Sequence, residues 1–317
     1  MKVRYLVLAA MFSGAALAAD YPVRPVRIVI GFTPGGTPDI TARLIGVELS
    51  KSLGQQIVVD NRPGAGGTIG AKLVAEAGPD GHTLLSASAS HVLQPSIYAK
   101  LPYDTIKDFA GITRTSTACY LLVTSPASDT RTAKDLIALA KAKPGQLNFA
   151  SAGSGSGTHF AGEMLKYAAR IDAVHVPYKG IPESLNDTIA GRVQFFMSPL
   201  SGAIPLVKGG KLRALGVSCP KRVAAIADVP TLAETVLPGF RFDTWSGILA
   251  PVKTSRTIVA RLNTEITRIL AMPDIQQKMT GLGVDPDPTT PAAFDKLIVE
   301  QVALMAKLAR AAGIQPQ

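Results

Sequence analysis

Histidine, cysteine and tryptophan are scarce in this chain of 317 residues, with four, two and one copies respectively. The histidines His82, His91, His159 and His175 stand apart without the spacing of a metal-ligand set, so neither a metal nor another cofactor is expected. Beyond the N-terminus no run reaches the ~18 uninterrupted apolar residues of a membrane-spanning helix, and there is no short-period repeat or low-complexity tract. Clustered basic residues are also lacking: the net charge of +10 is spread along the chain. That reads as a solvated basic surface rather than a nucleic-acid footprint, and nucleic acid is not an expected partner. The residual positive potential favours encounter with anionic solutes.

The chain has a globular composition, 47% hydrophobic and 18% charged. It is long enough for two domains, since single cores seldom grow beyond ~250 residues. Lys2 and Arg4 precede an apolar run from Tyr5 to Leu17, and Ala16-Leu17-Ala18 supplies an A-x-A cleavage signal. Residues 1–18 therefore read as a cleaved signal peptide and the periplasm as the destination. Ala19, not a cysteine, stands immediately after the cleavage point, which argues against a lipoprotein anchor.

Strand-type and helix-type patterns then alternate. The strand VRIVIG (26–31) precedes a helix over 39–50 with Ile40, Leu44 and Val47 at helical spacing; the strand QIVVD (56–60), a helix over 68–77 and a strand over 83–86 follow. The middle repeats this grammar up to a strand over 212–218, and a strand over 244–250 precedes three C-terminal helices. Strands separated by helices of this length imply parallel βαβ units with right-handed crossovers, an α/β fold.

Ligands of such sheets sit beyond the strand carboxyl ends, where helix N-termini offer unpaired N–H groups. Two glycine-rich junctions suit that role. GFTPGGTPD (31–39) offers Gly35 and Gly36 for close backbone approach, Thr33 and Thr37 as hydroxyl donors, and Thr37 as the expected N-cap before Pro38. SAGSGSGTH (151–159) adds N–H groups and the hydroxyls of Ser151, Ser154, Ser156 and Thr158. Either loop alone could be a plain connection. Placed in different lobes, the two could hold a carboxylate without a lysine. NRPGAGGT (61–68) has the same form, and SASASH (86–91) carries Ser86 and Ser88, for which capping and ligand contact weigh equally.

Enzyme motifs fit less well. In GSGSG glycine, not serine, is at the centre, no lysine completes a Walker motif, and neither loop has dinucleotide spacing. A hydrolase using the serine-rich loop would need a base near Ser154 or Ser156, and His159 is the one candidate nearby in sequence.

These loops, with LPYDTIKDFAGI, VPYKGIPESLNDTIAGRVQFFMSPLSGAIPLVKGGKLRALGVS, RVAAIADVPTLAE and TWSGILAP, resemble the Bug solute receptors of tripartite tricarboxylate transporters over essentially the whole mature chain. The resemblance implies a two-lobed, hinge-closing periplasmic binding protein, type II-like and not an enzyme. It would be a monomer that grips a small organic acid and passes it to membrane permease subunits. A ligand-sensing partner of a membrane signalling protein would use the same fold. The matching positions are Thr33, Gly35, Gly36, Thr37 and Asp39 on one side, and Ser151, Gly153, Ser154, Gly155, Ser156 and Thr158 on the other. Tyr178, Lys179 and Gly180 match a third cleft loop. Where the family usually carries Asp, this chain has Ser198, which implies a ligand without an ammonium group at that point.

Two lobes sharing one chain require two crossings, expected near 118–124 and 213–221. The first lobe would then span 19–121 and 222–317, and the second 122–221. If CYLLV and LGVSC pair antiparallel, with 121 opposite 217 and 123 opposite 215, Cys119 faces Cys219. Export permits a disulfide, and two small buried thiols satisfy the same pattern.

Overall fold

A computed structural model describes residues 21–311, so the expected signal peptide lies outside the described residues. Ten strands form one sheet: β1 (Val26–Ile30), β2 (Ile57–Asn61), β3 (Thr83–Ser88), β4 (Phe109–Thr124), β5 (Asn148–Ser151), β6 (Val174–Pro177), β7 (Phe195–Pro199), β8 (Arg213–Val217), β9 (Asp243–Pro251) and β10 (Val284–Pro286). The helices are α1 (Thr37–Leu53), α2 (Thr68–Ala75), α3 (Ser90–Leu93), α4 (Ala133–Ala142), α5 (Gly157–Ala169), α6 (Ile181–Ile189), α7 (Leu200–Lys208), α8 (Leu232–Thr235), α9 (Arg256–Leu270), α10 (Pro273–Thr280) and α11 (Pro291–Ala311).

The strand order is β2-β1-β3-β9-β4-β7-β5-β6, with β8 and β10 also paired to β4. Each end of the sheet carries the expected parallel units, β2-β1-β3 and β7-β5-β6. Between them β4 and β9 pair antiparallel with their neighbours, so the sheet is mixed. The reason is length: β4 runs for 16 residues, its first half beside β9 and β10 and its second half beside β7 and β8. Sequence periodicity exposed only the second half, because polar Thr113, Arg114, Thr115, Ser116 and Thr117 interrupt the first. Thr113, Thr115 and Ser116 are nevertheless almost completely buried.

Two main cores flank the crossing. Ile28, Ile30, Ile45, Leu49, Ile248, Leu262 and Ile266 join strands β1 and β9 to α1 and α9. The apolar run of β1 follows from burial on both faces: Ile28 and Ile30 face that cluster, while Val29 packs with Phe294 on the other side. The second core holds Leu136, Phe149, Leu165 and Phe195, and also Leu232 and Phe240. These last two residues keep 222–242 packed on the second lobe. We therefore assign the return crossing to Phe242–Asp243 rather than to 213–221, and extend the second lobe to residue 242.

The two crossings are clasped together. Ser218 accepts from the Tyr120 N–H at 2.9 Å through its hydroxyl oxygen, and that hydroxyl donates to the Phe242 carbonyl at 2.5 Å. Leu121 pairs with Val217 as expected, but a bulge beyond Leu122 sets Val123 opposite Ala214 instead of residue 215. Cys119 and Cys219 are disulfide-bonded, their Cα atoms 5.4 Å apart.

A cross-link closing a loop across 100 residues restricts the unfolded chain. Replacing both cysteines by serine should cost about 2–5 kcal/mol of stability. Alkylation of unfolded protein followed by intact-mass measurement should label the thiols only after reduction; labelling without reductant would show that the bond is not formed.

Candidate functional site

The first junction starts where β1 ends at Ile30. Gly36, with extended backbone (φ −81°, ψ 164°), is the N-cap of α1, and Thr37 and Pro38 begin the helix. The cap thus falls one residue earlier than expected. Proline is tolerated there because the first helical N–H groups have no intrahelical acceptor. Released from capping, the Thr37 hydroxyl reaches Ser201 on α7 at 3.1 Å. Buried Asp39 accepts from the Gly35 N–H and from Asn61, both at 3.0 Å, and pairs with Arg43 at 2.9 Å. Its charge shapes the loop and is already matched.

The second junction follows β5. Ser156 caps α5 by accepting from the His159 N–H at 3.2 Å, and its hydroxyl lies 2.9 Å from that of Thr158. Thr158 in turn accepts from the Ala152 N–H at 2.9 Å. Ser151, with no exposure, sits 2.6 Å from His175 Nε2 and accepts from the Gly153 N–H at 3.1 Å.

Both helix N-termini open on one cavity of ≈ 50 Å³, room for a few water molecules. Thr33, Gly36, Thr37, Asp39 and Ser88 line it from the first lobe, and Ser156, Gly157, Thr158 and Ile181 from the second. Tyr120, Thr244 and Ser246 belong to the two central strands. No lysine, arginine or histidine is among the lining residues. Positive potential at this point comes from the N-terminal ends of α1 and α5, each worth about 0.3–1 kcal/mol toward an anion and up to ~2 when sheltered. The hydroxyls of Thr33 and Ser246 are buried and have no hydrogen-bond partner among the described residues. Burial pushes the Tyr120 hydroxyl up to about 12, so it stays neutral and able to donate.

The lobes meet around this cavity. Tyr98 donates to the Ser154 carbonyl at 3.2 Å, bridging the loop after β3 to the loop after β5. Gly180, which caps α6 in extended backbone, lies against Thr33, where a Cβ would overlap the threonine side chain.

Of the residues expected at the site, Thr33, Gly36, Thr37, Asp39, Ser88, Ser156 and Thr158 share this wall. Gly153, Ser154, Tyr178 and Lys179 line an adjoining cleft of ≈ 410 Å³ instead, separated from the cavity by Phe32 and Ala152. Gly35, Gly155 and Gly180 shape the loops without reaching the wall. Ser86 donates to the Pro38 carbonyl at 3.1 Å, and buried Ser198 donates to the Pro199 carbonyl at 3.1 Å, leaving Pro199 on the wall. The pairing of Ser154 or Ser156 with His159 that a serine-loop hydrolase would need is not formed: Ser156 caps α5 and His159 Nδ1 accepts from the Gly155 N–H at 3.3 Å, while Ser151, in contact with His175, is fully buried and off the cavity wall. Sequence reading missed Tyr120, Thr244 and Ser246. The available signal was two hydroxyl residues at i and i+2 of a strand whose neighbours are apolar, which places them on one face.

Among the described residues no helix is long and apolar enough to cross a membrane. Residues 41–314 match the family described as tripartite tricarboxylate transporter family receptor. The chain is 40% identical over 265 residues to the UPF0065 protein in the tcbD-tcbE intergenic region of Pseudomonas sp. strain P51, covering 83% of this chain and 79% of that protein. Three solved structures share the whole fold. One is R. palustris Rpa4515 with adipate (32% identity, TM-score 0.91, 94% of this chain and 100% of that one). Another is the periplasmic binding protein BugD (31%, 0.90, 94% and 100%). The third is MatC from Rhodopseudomonas palustris with bound malate (32%, 0.86, 90% and 99%). Two helix N-termini converge from two lobes on one cavity, and by sequence and fold this chain belongs to the receptor family of the tripartite tricarboxylate transporters, a family of solute receptors rather than enzymes.

Proposed function

We propose that this receptor captures a small organic acid without an amino group, a mono- or dicarboxylate, in the cavity between its lobes. It then presents the acid, as a monomer in the periplasm, to the permease subunits of a tripartite transporter. One observation carries the reading: Thr33 and Ser246, whose buried hydroxyls have no partner among the described residues, line a space that two helix N-termini share. A carboxylate supplies acceptors for every one of those groups, and hydrogen bonds to a charged partner contribute about 1.5–3 kcal/mol each.

The exclusion of amino groups follows from the same wall. A sheltered ammonium is best stabilised by a free carboxylate, and the one carboxylate present, Asp39, is already matched by Arg43, Asn61 and the Gly35 N–H. Ser198 adds no charge where the resembled family usually carries Asp. Malate and adipate, bound by two relatives of known structure, are unaminated acids. Capture by closure then needs only contacts that exist when both lobes touch the ligand, since a ligand shifts an equilibrium by its difference in affinity between the two states.

Three outcomes are expected. In a thermal-shift series, succinate, malate or adipate should raise the melting temperature, because a ligand bound only by the folded chain stabilises it; a response to aspartate or glutamate alone would refute the assignment. Ser246→Ala should weaken calorimetric binding of the responding acid by roughly tenfold or more, while leaving the unliganded melting temperature unchanged or slightly higher. Gly180→Ala should leave each lobe folded, its extended backbone being open to any residue, yet hold Thr33 away and lower affinity by at least about tenfold. Unaltered affinity in that variant would mean that the lobes need not meet at Gly180.

A further inference from the structure

Behind the second anion loop, on the side away from the ligand cavity, His159 of α5 and His175 of β6 stack with ring centroids 4.0 Å apart. Neither is on the cavity wall. Phe149 of β5 stacks against His175 at 5.0 Å, and α5 comes close enough for this because Gly162 leaves no Cβ to strike the Phe149 ring.

Each imidazole holds a different point of the loop. His159 Nδ1 accepts from the Gly155 N–H at 3.3 Å. His175 Nε2 lies 2.6 Å from the Ser151 hydroxyl, which accepts from the Gly153 N–H at 3.1 Å. Gly153 and Gly155 have φ of +107° and +79°, so the backbone between them is bent in a way that local preference alone does not fix. We propose that His159 and His175 are positioning residues of the carboxylate site, a neutral imidazole pair that presents the loop to the ligand and makes capture acid-sensitive. This rests on the carboxylate-receptor reading above.

Protonation of His159 would remove the acceptor that Gly155 uses. The charges acting on the pair come from α5: Glu163 Oε1 is 4.0 Å from His159 Nε2, and Lys166 bridges to Glu163 at 3.2 Å. Lys166 also lies 5.5 Å over the Phe149 ring. Burial, with Lys166 adding repulsion, lowers His159 to about 4; burial, His159 and Lys166 together lower His175 to about 3. The unfolded chain, with an ordinary imidazole near 6.5, binds more protons than the folded one below that pH. Stability from keeping the pair neutral is therefore complete above about 6.5 and declines as the pH falls toward 4.

The test compares His159→Phe, which keeps the stacked shape without an acceptor, with His159→Asn, whose amide oxygen can replace Nδ1 and does not titrate. Adipate, malate and succinate serve as calorimetric probes at pH 7 and pH 4. His159→Phe should lose roughly threefold to tenfold in affinity at pH 7, and His159→Asn should stay within about twofold of the unsubstituted protein. Between pH 7 and 4 the unsubstituted protein should lose more affinity than His159→Asn, a comparison that cancels titration of the probe itself. Equal impairment of both variants, or identical pH profiles, overturns the proposal. Should none of the probes bind the unsubstituted protein, the carboxylate reading fails separately, and amide exchange of Gly155 by NMR still decides the positioning role. Protection kept in His159→Asn and lost in His159→Phe supports that role; equal protection in both refutes it.

Discussion

Everything in this molecule depends on bringing two helix N-termini from different parts of the chain to one point without a cationic side chain between them. Each terminus contributes little alone. Together they surround a cavity bounded by Thr33, Thr37, Ser156 and Thr158, where low local polarisability strengthens hydrogen bonds to charge. A lysine at this place would attract any anion from one side. Paired termini instead reward a ligand that touches both lobes, which is the requirement for coupling binding to closure.

The fold supplies that convergence through its central strands. β4 passes from one sheet half into the other, β9 runs antiparallel beside its first half, and both donate residues to the cavity floor, Tyr120 from β4 and Thr244 and Ser246 from β9. Floor and crossing are therefore the same structure. Ser218 bonds to Tyr120 and Phe242, and the Cys119–Cys219 bridge lies one residue away from that contact, so the crossings are tied where the floor begins.

Much of this was legible in the sequence. The apolar run VRIVI, the helical spacing after it and the glycine-rich junctions located the parallel units and the two strand-to-helix loops that carry the N-termini of α1 and α5, because period and turn chemistry are local properties. The first half of β4 was hidden because its buried threonines and serine break the apolar pattern; Thr113, for example, donates to the Thr289 carbonyl. We assign the return crossing later than 213–221 because Leu232 and Phe240 pack in the second core, and nothing local in the sequence distinguishes them from residues of the other core. Ser86, for which capping and ligand contact weighed equally, and Ser198, which stands where the resembled family usually carries Asp, each donate to a backbone carbonyl. Loop chemistry shows which residues can bind an anion, and only the tertiary arrangement decides which of them face it.

The most direct measurement is a crystal structure of the protein with the acid that stabilises it most. The expected density places one carboxylate within hydrogen-bond distance of the first-turn N–H groups of α1 and α5 and of the Thr33 and Ser246 hydroxyls. A carboxylate bound by one lobe alone, or lodged outside this cavity, would contradict the shared-terminus mechanism.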